Sequence, residues 1–246
     1  MIFQILKRKN IFLQHCMSRN IAIDELRGIA FLLMIFHHIN YFNDVSNNFQ
    51  TNNYSSELVT LFGNISRNLF IFLVGFTMYE AYNKKSLKEY TKKRVERSIM
   101  IGIHALIITL VSHYYFPKFG IKFGVLHFIA VATILTTPMV EYPKLAGLFA
   151  FIISIINTTN LSVFKFGEPF DLILGTKVSY SMMDYFPLIK WIPVLLVGIF
   201  SGYLYKNQDA SLFGNFELFK ILGQHSLNLY TVHFTLLSMY YNIQRN

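Results

Sequence analysis

The sequence predicts an all-α fold: a polytopic transmembrane helical bundle of about seven spans with a cytosolic N-terminus. Three observations predict it. Hydrophobic residues fill 53% of the 246 positions and charged residues only 14%, against about 25% charged in soluble domains. The apolar residues come in blocks that approach the ~20 residues needed to cross a bilayer. The basic residues sit mostly in short segments between those blocks, where they set orientation. The formal charge of +9 therefore reads as a topology signal, and no nucleic-acid partner is expected. The lipid bilayer is the expected surrounding, and the chain is expected to be a multi-pass membrane protein.

Residues 1–20 form a basic cytosolic segment with Lys7, Arg8, Lys9 and Arg19. It lacks a long apolar run followed by a small-residue cleavage site, which argues against a removable signal peptide. Residues 21–246 form one transmembrane domain. Its first span is Ile21–Phe42. The second runs to Tyr82 and starts between Glu57 and Asn68. The third is Ser98–Phe116 and the fourth Phe123–Val140. The fifth, Leu145–Ile156, is short and lies between Pro143 and Asn157. The sixth is Pro187–Tyr205 and the seventh Ile221–Tyr241. Between the second and third spans, Lys84–Arg97 reads as a basic inner loop. The single cysteine, Cys16, allows no intramolecular disulfide. No metal motif, phosphate-binding glycine loop or nucleophile elbow is present.

The first span carries the strongest chemical signal, Asp24-Glu25-Leu26-Arg27-Gly28 followed by Met34-Ile35-Phe36-His37-His38. Eleven helical steps from Arg27 to His38 turn through about 1100°, some 20° past three full turns. The two therefore share a face with Asp24, and His38 lies about 16 Å further along the axis. Ionisable residues within a span are functional candidates. Against that stands the simpler reading of His37 and His38 as interfacial residues near the outer end. Arg67 reaches a similar depth if the second helix begins at Glu57. It is an ordinary interfacial anchor if Glu57–Ser66 lies along the surface. In the seventh span Ser226, Tyr230 and His233 share a face by steps of four and three. His127 near the outer end of the fourth span, Tyr230 and His233 are candidates for the polar interior, as functional groups or as interhelical hydrogen-bonding residues.

These segments resemble the heparan-α-glucosaminide N-acetyltransferase catalytic family and the related family 3 membrane acyltransferases, which carry an Arg and a His with ten residues between them on the first span. Arg27 and His38 match that spacing. Further segments are similar to the first family's motifs along nearly the whole chain: Asn68–Phe76, Gly124–Ala130, Asp184–Trp191 and Gly223–His233. Lys190 departs from the pattern, standing where a second proline is expected before Trp191. The resemblance implies acetyl-CoA or another acyl-CoA as co-substrate donor, no metal, and an amine or hydroxyl acceptor, a small molecule or a sugar. It implies His38 as general base on the acceptor, since neutral imidazole suits that work near pH 7, with an acyl-histidine intermediate as the other route. His37 and Arg67 complete the catalytic candidates, Arg67 as a group that polarises the thioester carbonyl or binds an anionic acceptor. Asp24 and Arg27 would act at the inner end of the donor channel, and Arg94 and Arg97 would meet the phosphates of the coenzyme. The rival readings are a small-molecule transporter or channel lined by His38, Arg67 and His233, and an inactive relative that keeps the fold.

Overall fold

The computed structural model describes residues 20–46, 56–82, 86–159, 166–176, 180, 182–205 and 216–245. The basic N-terminal segment, with Cys16, lies outside the described residues apart from Asn20. Every regular element among the described residues is helical: α1 Ile21–Ser46, α2 Glu57–Tyr82, α3 Leu87–Tyr115, α4 Val125–Thr136, α5 Pro143–Ile156, α6 Phe170–Leu174, α7 Leu188–Leu204, α8 Glu217–Gln224 and α9 Ser226–Arg245, with short 3-10 helices at Pro117–Phe119 and Thr137–Val140. By length and composition α2 and α3 can each cross a membrane. Val125–Val140, Pro143–Ile156 and Leu188–Leu204 are shorter apolar helices.

Three boundaries bear on the sequence reading. Helix α2 begins at Glu57, so Arg67 lies ten residues inside it, about 15 Å along the axis. Helix α3 begins at Leu87, which corrects the reading of Lys84–Arg97 as a loop from Leu87 onward; Lys84 and Lys85 lie outside the described residues. Ser86 caps it by accepting from the Glu89 amide at 3.4 Å, and Lys93 donates to Glu89 one turn away at 2.7 Å. Arg94 and Arg97 therefore stand on a rigid helix. The seventh segment is also not continuous. Helix α8 ends at Gln224, and α9 starts one residue later, after His225. The break lets α8 lie along α1 while α9 turns to pack on both α1 and α3.

The packing order places α2 between α1 and α7, with α5 on the far side of α7. Helix α3 packs on α4, α9 bridges α1 and α3, and lighter contacts between α4 and α2 close the ring. Two glycines bring α2 and α7 into close backbone contact. A Cβ on Gly75 would run into the carbonyl oxygen of Leu195, and one on Gly198 into that of Phe72. Backbone-to-backbone approach of this kind is how helices associate when the surrounding solvent is as apolar as their side chains. Ser66, buried in α2, adds a cross-helix bond by donating to the Ala30 carbonyl of α1 at 2.7 Å.

Pro193 sits inside α7 and has no N–H to donate. The carbonyl four residues earlier, Ile189, thereby loses its intrahelical donor. Asn157, at the C-terminal end of α5, supplies a replacement: its side-chain amide donates to Ile189 O at 2.9 Å. An unsatisfied carbonyl is costly in an apolar surrounding, so this bond ties the end of the shortest apolar segment to the start of α7. Asn157→Leu is expected to lower stability by about 1–3 kcal/mol. In the background Pro193→Ala, which restores a backbone donor, the same change should cost clearly less. Equal losses in both backgrounds, read by thermal unfolding of the four proteins in detergent, would overturn this account.

Candidate functional site

A cavity of about 360 Å³ runs through the ring. Its walls come from α1, α2, α3, α4 and the α8–α9 junction, together with the extended segment that precedes α7. Arg27, Arg94 and Arg97 line the cavity towards one end, and His37, His38 and Arg67 line it further along. The shared face of Arg27 and His38 expected from their spacing thus faces one internal space.

At the Arg27 end, the guanidinium donates to Thr77 Oγ1 of α2 at 3.1 Å and to Asp24 Oδ1 at 3.4 Å. Gln224 Nε2 donates to the other oxygen of Asp24 at 3.4 Å. The Asp24 side chain is 2% exposed. It therefore acts as the buried counter-charge that orients Arg27, and Arg27 rather than Asp24 lines the cavity. This arrangement depends on close contact between α1 and α8, where a Cβ on Gly223 would overlap the Asp24 carbonyl. Arg94 lies over the Tyr90 ring at 5.2 Å, and its buried Nε has no hydrogen-bond partner among the described residues.

At the histidine end, two adjacent histidines have different surroundings. His37 Nδ1 bonds the Val59 carbonyl at 3.0 Å. Because a carbonyl only accepts, His37 must donate there. Gly63 leaves room for its ring, which a Cβ would overlap. His38 instead faces α9: its Nδ1 lies 2.9 Å from His233 Nε2. Tyr230 and Phe234 present ring edges to it at centroid distances of 6.0 and 6.4 Å. Arg67 donates from Nε to the Gly63 carbonyl at 3.0 Å, and its guanidinium lies 5.9 Å from the Trp191 ring.

Asp184 is a wall residue that the sequence reading did not single out. Backbone bonds from Met183 N to Phe119 O (2.9 Å) and from Phe186 N to Phe123 O (3.0 Å) hold its segment alongside residues 119–123. Its carboxylate accepts from the Val125 amide at 2.9 Å, capping α4. Burial pushes its pKa up to about 6, a rise that the Val125 hydrogen bond and the charge of Arg67 partly oppose. A carboxylate next to its own helix reads from sequence as a local cap. That it caps a helix 59 residues earlier depends on the pairing with residues 119–123.

Of the remaining candidates, Tyr230 lines the cavity, whereas His127 and His233 are not among its wall residues. His127 accepts from the Gly124 amide on Nδ1 at 3.2 Å and lies 3.2 Å from Thr109 Oγ1 through Nε2. It ties the start of α4 to α3. His104, likewise, bonds Thr231 across the α3–α9 contact at 2.8 Å.

An all-helical bundle with helices able to cross a membrane, and an internal cavity bearing arginines and a histidine pair, defines the class of protein. The chain belongs to the family described as heparan-alpha-glucosaminide N-acetyltransferase, catalytic, which matches residues 19–235. That match takes in every candidate residue named above and assigns the chain to a family of acetyltransferase type. No curated protein and no solved structure matches the chain.

Proposed function

We propose that this protein is an integral membrane acyltransferase. It moves an acetyl or other acyl group from acyl-CoA to an amine or hydroxyl acceptor, and a sugar is one such acceptor. The observation that carries this reading is the single cavity joining Arg27, Arg94 and Arg97 to His38 in a chain of this family. With seven spans and the N-terminus in the cytosol, the arginine end faces the cytosol, where acyl-CoA would enter.

The chemistry follows from the placement of the groups. Arg94 and Arg97 would hold the coenzyme's phosphates, for which guanidinium offers paired donors. Arg27, fixed by Asp24 and Thr77, would contact the arm that leads towards His38. His38 would take the proton from the acceptor N–H or O–H while the freed lone pair attacks the thioester carbonyl. The C–S bond breaks, and the sulfur leaves with the electron pair and receives the proton that His38 holds. Arg67 would stabilise the negative charge that builds on the carbonyl oxygen.

The direct test is purified protein in detergent with acetyl-CoA, measuring thiol release with and without amino-sugar and hydroxyl acceptors. Acceptor-dependent thiol release is expected, and none with any acceptor would overturn the proposal. A second measurement isolates the coenzyme end. Arg94→Gln with Arg97→Gln should raise KM for acetyl-CoA roughly tenfold or more while leaving acceptor KM nearly unchanged. An unchanged donor KM in correctly inserted protein would assign these arginines to the membrane surface alone.

A further inference from the structure

His233 does not line the cavity, yet its hydrogen bonds run in a direction that determines which nitrogen of His38 is available. His233 Nδ1 lies 3.0 Å from the Leu229 carbonyl. A carbonyl carries no proton, so His233 Nδ1 must carry the hydrogen of that bond. In a neutral ring the other nitrogen, Nε2, is then acceptor-only. It lies 2.9 Å from His38 Nδ1, so His38 must donate from Nδ1. With its single hydrogen committed there, neutral His38 has its lone pair on Nε2. The two ring planes are within 14° of parallel, which suits an N–H···N bond between rings. Phe31 packs against His233 edge-on at 5.5 Å, and Tyr230 does so at 5.4 Å.

We infer that His233 is a positioning residue that accepts the Nδ1 hydrogen of His38 and so keeps the Nε2 lone pair available to the reacting groups. The inference rests on the reading of His38 as general base. His233 acts twice in the cycle. Before proton transfer it selects the tautomer that can act as a base. After transfer, His38 carries hydrogen on both nitrogens and a positive charge, and its bond to His233 becomes charge-assisted and stronger. The order of bonds, carbonyl to histidine to histidine, gives a neutral ring the orienting place that a carboxylate takes in a serine-protease triad.

The test combines a spectroscopic and a kinetic readout on the whole protein. With ¹⁵N-labelled histidine in detergent, His38 should show a protonated Nδ1 and a bare Nε2, assigned by loss of its signals in His38→Ala. In His233→Leu the bare-Nε2 population should fall. With acetyl-CoA as donor and glucosamine as acceptor, His233→Leu should lose about 10²-fold or more in kcat, within the usual worth of a positioned base. KM for acetyl-CoA should change little. His233→Gln, whose side-chain oxygen can accept the same hydrogen, should recover most of that loss. A wild-type His38 protonated on Nε2 would overturn the inference, and so would wild-type turnover in His233→Leu. Full activity in His38→Ala would overturn the base reading instead. The tautomer measurement needs no turnover and separates the two failures.

Discussion

His38→Ala is expected to lower kcat by roughly 10²–10⁴-fold, the usual worth of a positioned general base, and to leave acetyl-CoA binding largely intact. The donor's phosphates would sit at the arginine end, about 16 Å away along α1. The informative control is its neighbour. His37 also lines the cavity, but its Nδ1 donates to Val59 and its ring fills the space that Gly63 leaves. His37→Ala should therefore cost stability, about 0.5–1.5 kcal/mol for the lost hydrogen bond, with a much smaller effect on turnover. Steady-state kinetics on both variants, each checked for insertion and monodispersity, decides the matter. Normal turnover in His38→Ala with loss in His37→Ala would transfer the role to His37. Normal turnover in both would remove both histidines of the first helix from the mechanism.

A comparably large effect is expected at the α2–α7 seam. Gly75→Val places side-chain atoms where the Leu195 carbonyl stands, and backbone cannot yield as a flexible side chain does. Overpacking of side chains alone costs about 1–3 kcal/mol. Pushing two helices apart along a shared face exceeds that, so we expect little or no folded protein. Gly102 in α3 provides the contrast, since a Cβ there meets nothing within 4 Å. Gly102→Ala should be neutral or stabilising by up to about 1 kcal/mol through helix propensity. Size-exclusion profiles and melting temperatures of the two variants test the pair. Similar behaviour of both would mean that the seam is looser than described.

The parts of this site legible in the sequence are those set within one helix. Arg27 and His38 share a face because eleven steps at ~100° nearly close three turns, and both line the cavity. Arg67 stands ten residues inside its helix because α2 begins at Glu57, and it too lines the cavity. What the sequence could not supply is partnership across helices. His38 and His233 are 195 residues apart, and no periodicity joins them. The face shared by Ser226, Tyr230 and His233 pointed to a polar surface. Which of its members meets the cavity and which stands behind it depends on the pitch of α9 after the break at His225. Asp184 was hidden for the same reason, since its capping partner belongs to α4. The helical start of α3 was hidden by composition: a run of Lys and Arg reads as a solvated connection, yet Ser86 and the Glu89–Lys93 pair make it helix.

The bond from Asn157 to Ile189 has a consequence for how this family varies. The donor at 157 answers a need created at 193, so the two positions form a compensating pair although 36 residues separate them. Relatives that keep proline at the position of Pro193 are expected to keep a side-chain donor at that of Asn157, and Ser or Gln would serve where reach allows. Relatives with any other residue at 193 recover a backbone N–H and are free to place an apolar side chain at 157. In a lineage passing between these states, loss of the proline comes first, because losing the asparagine first leaves a carbonyl stranded.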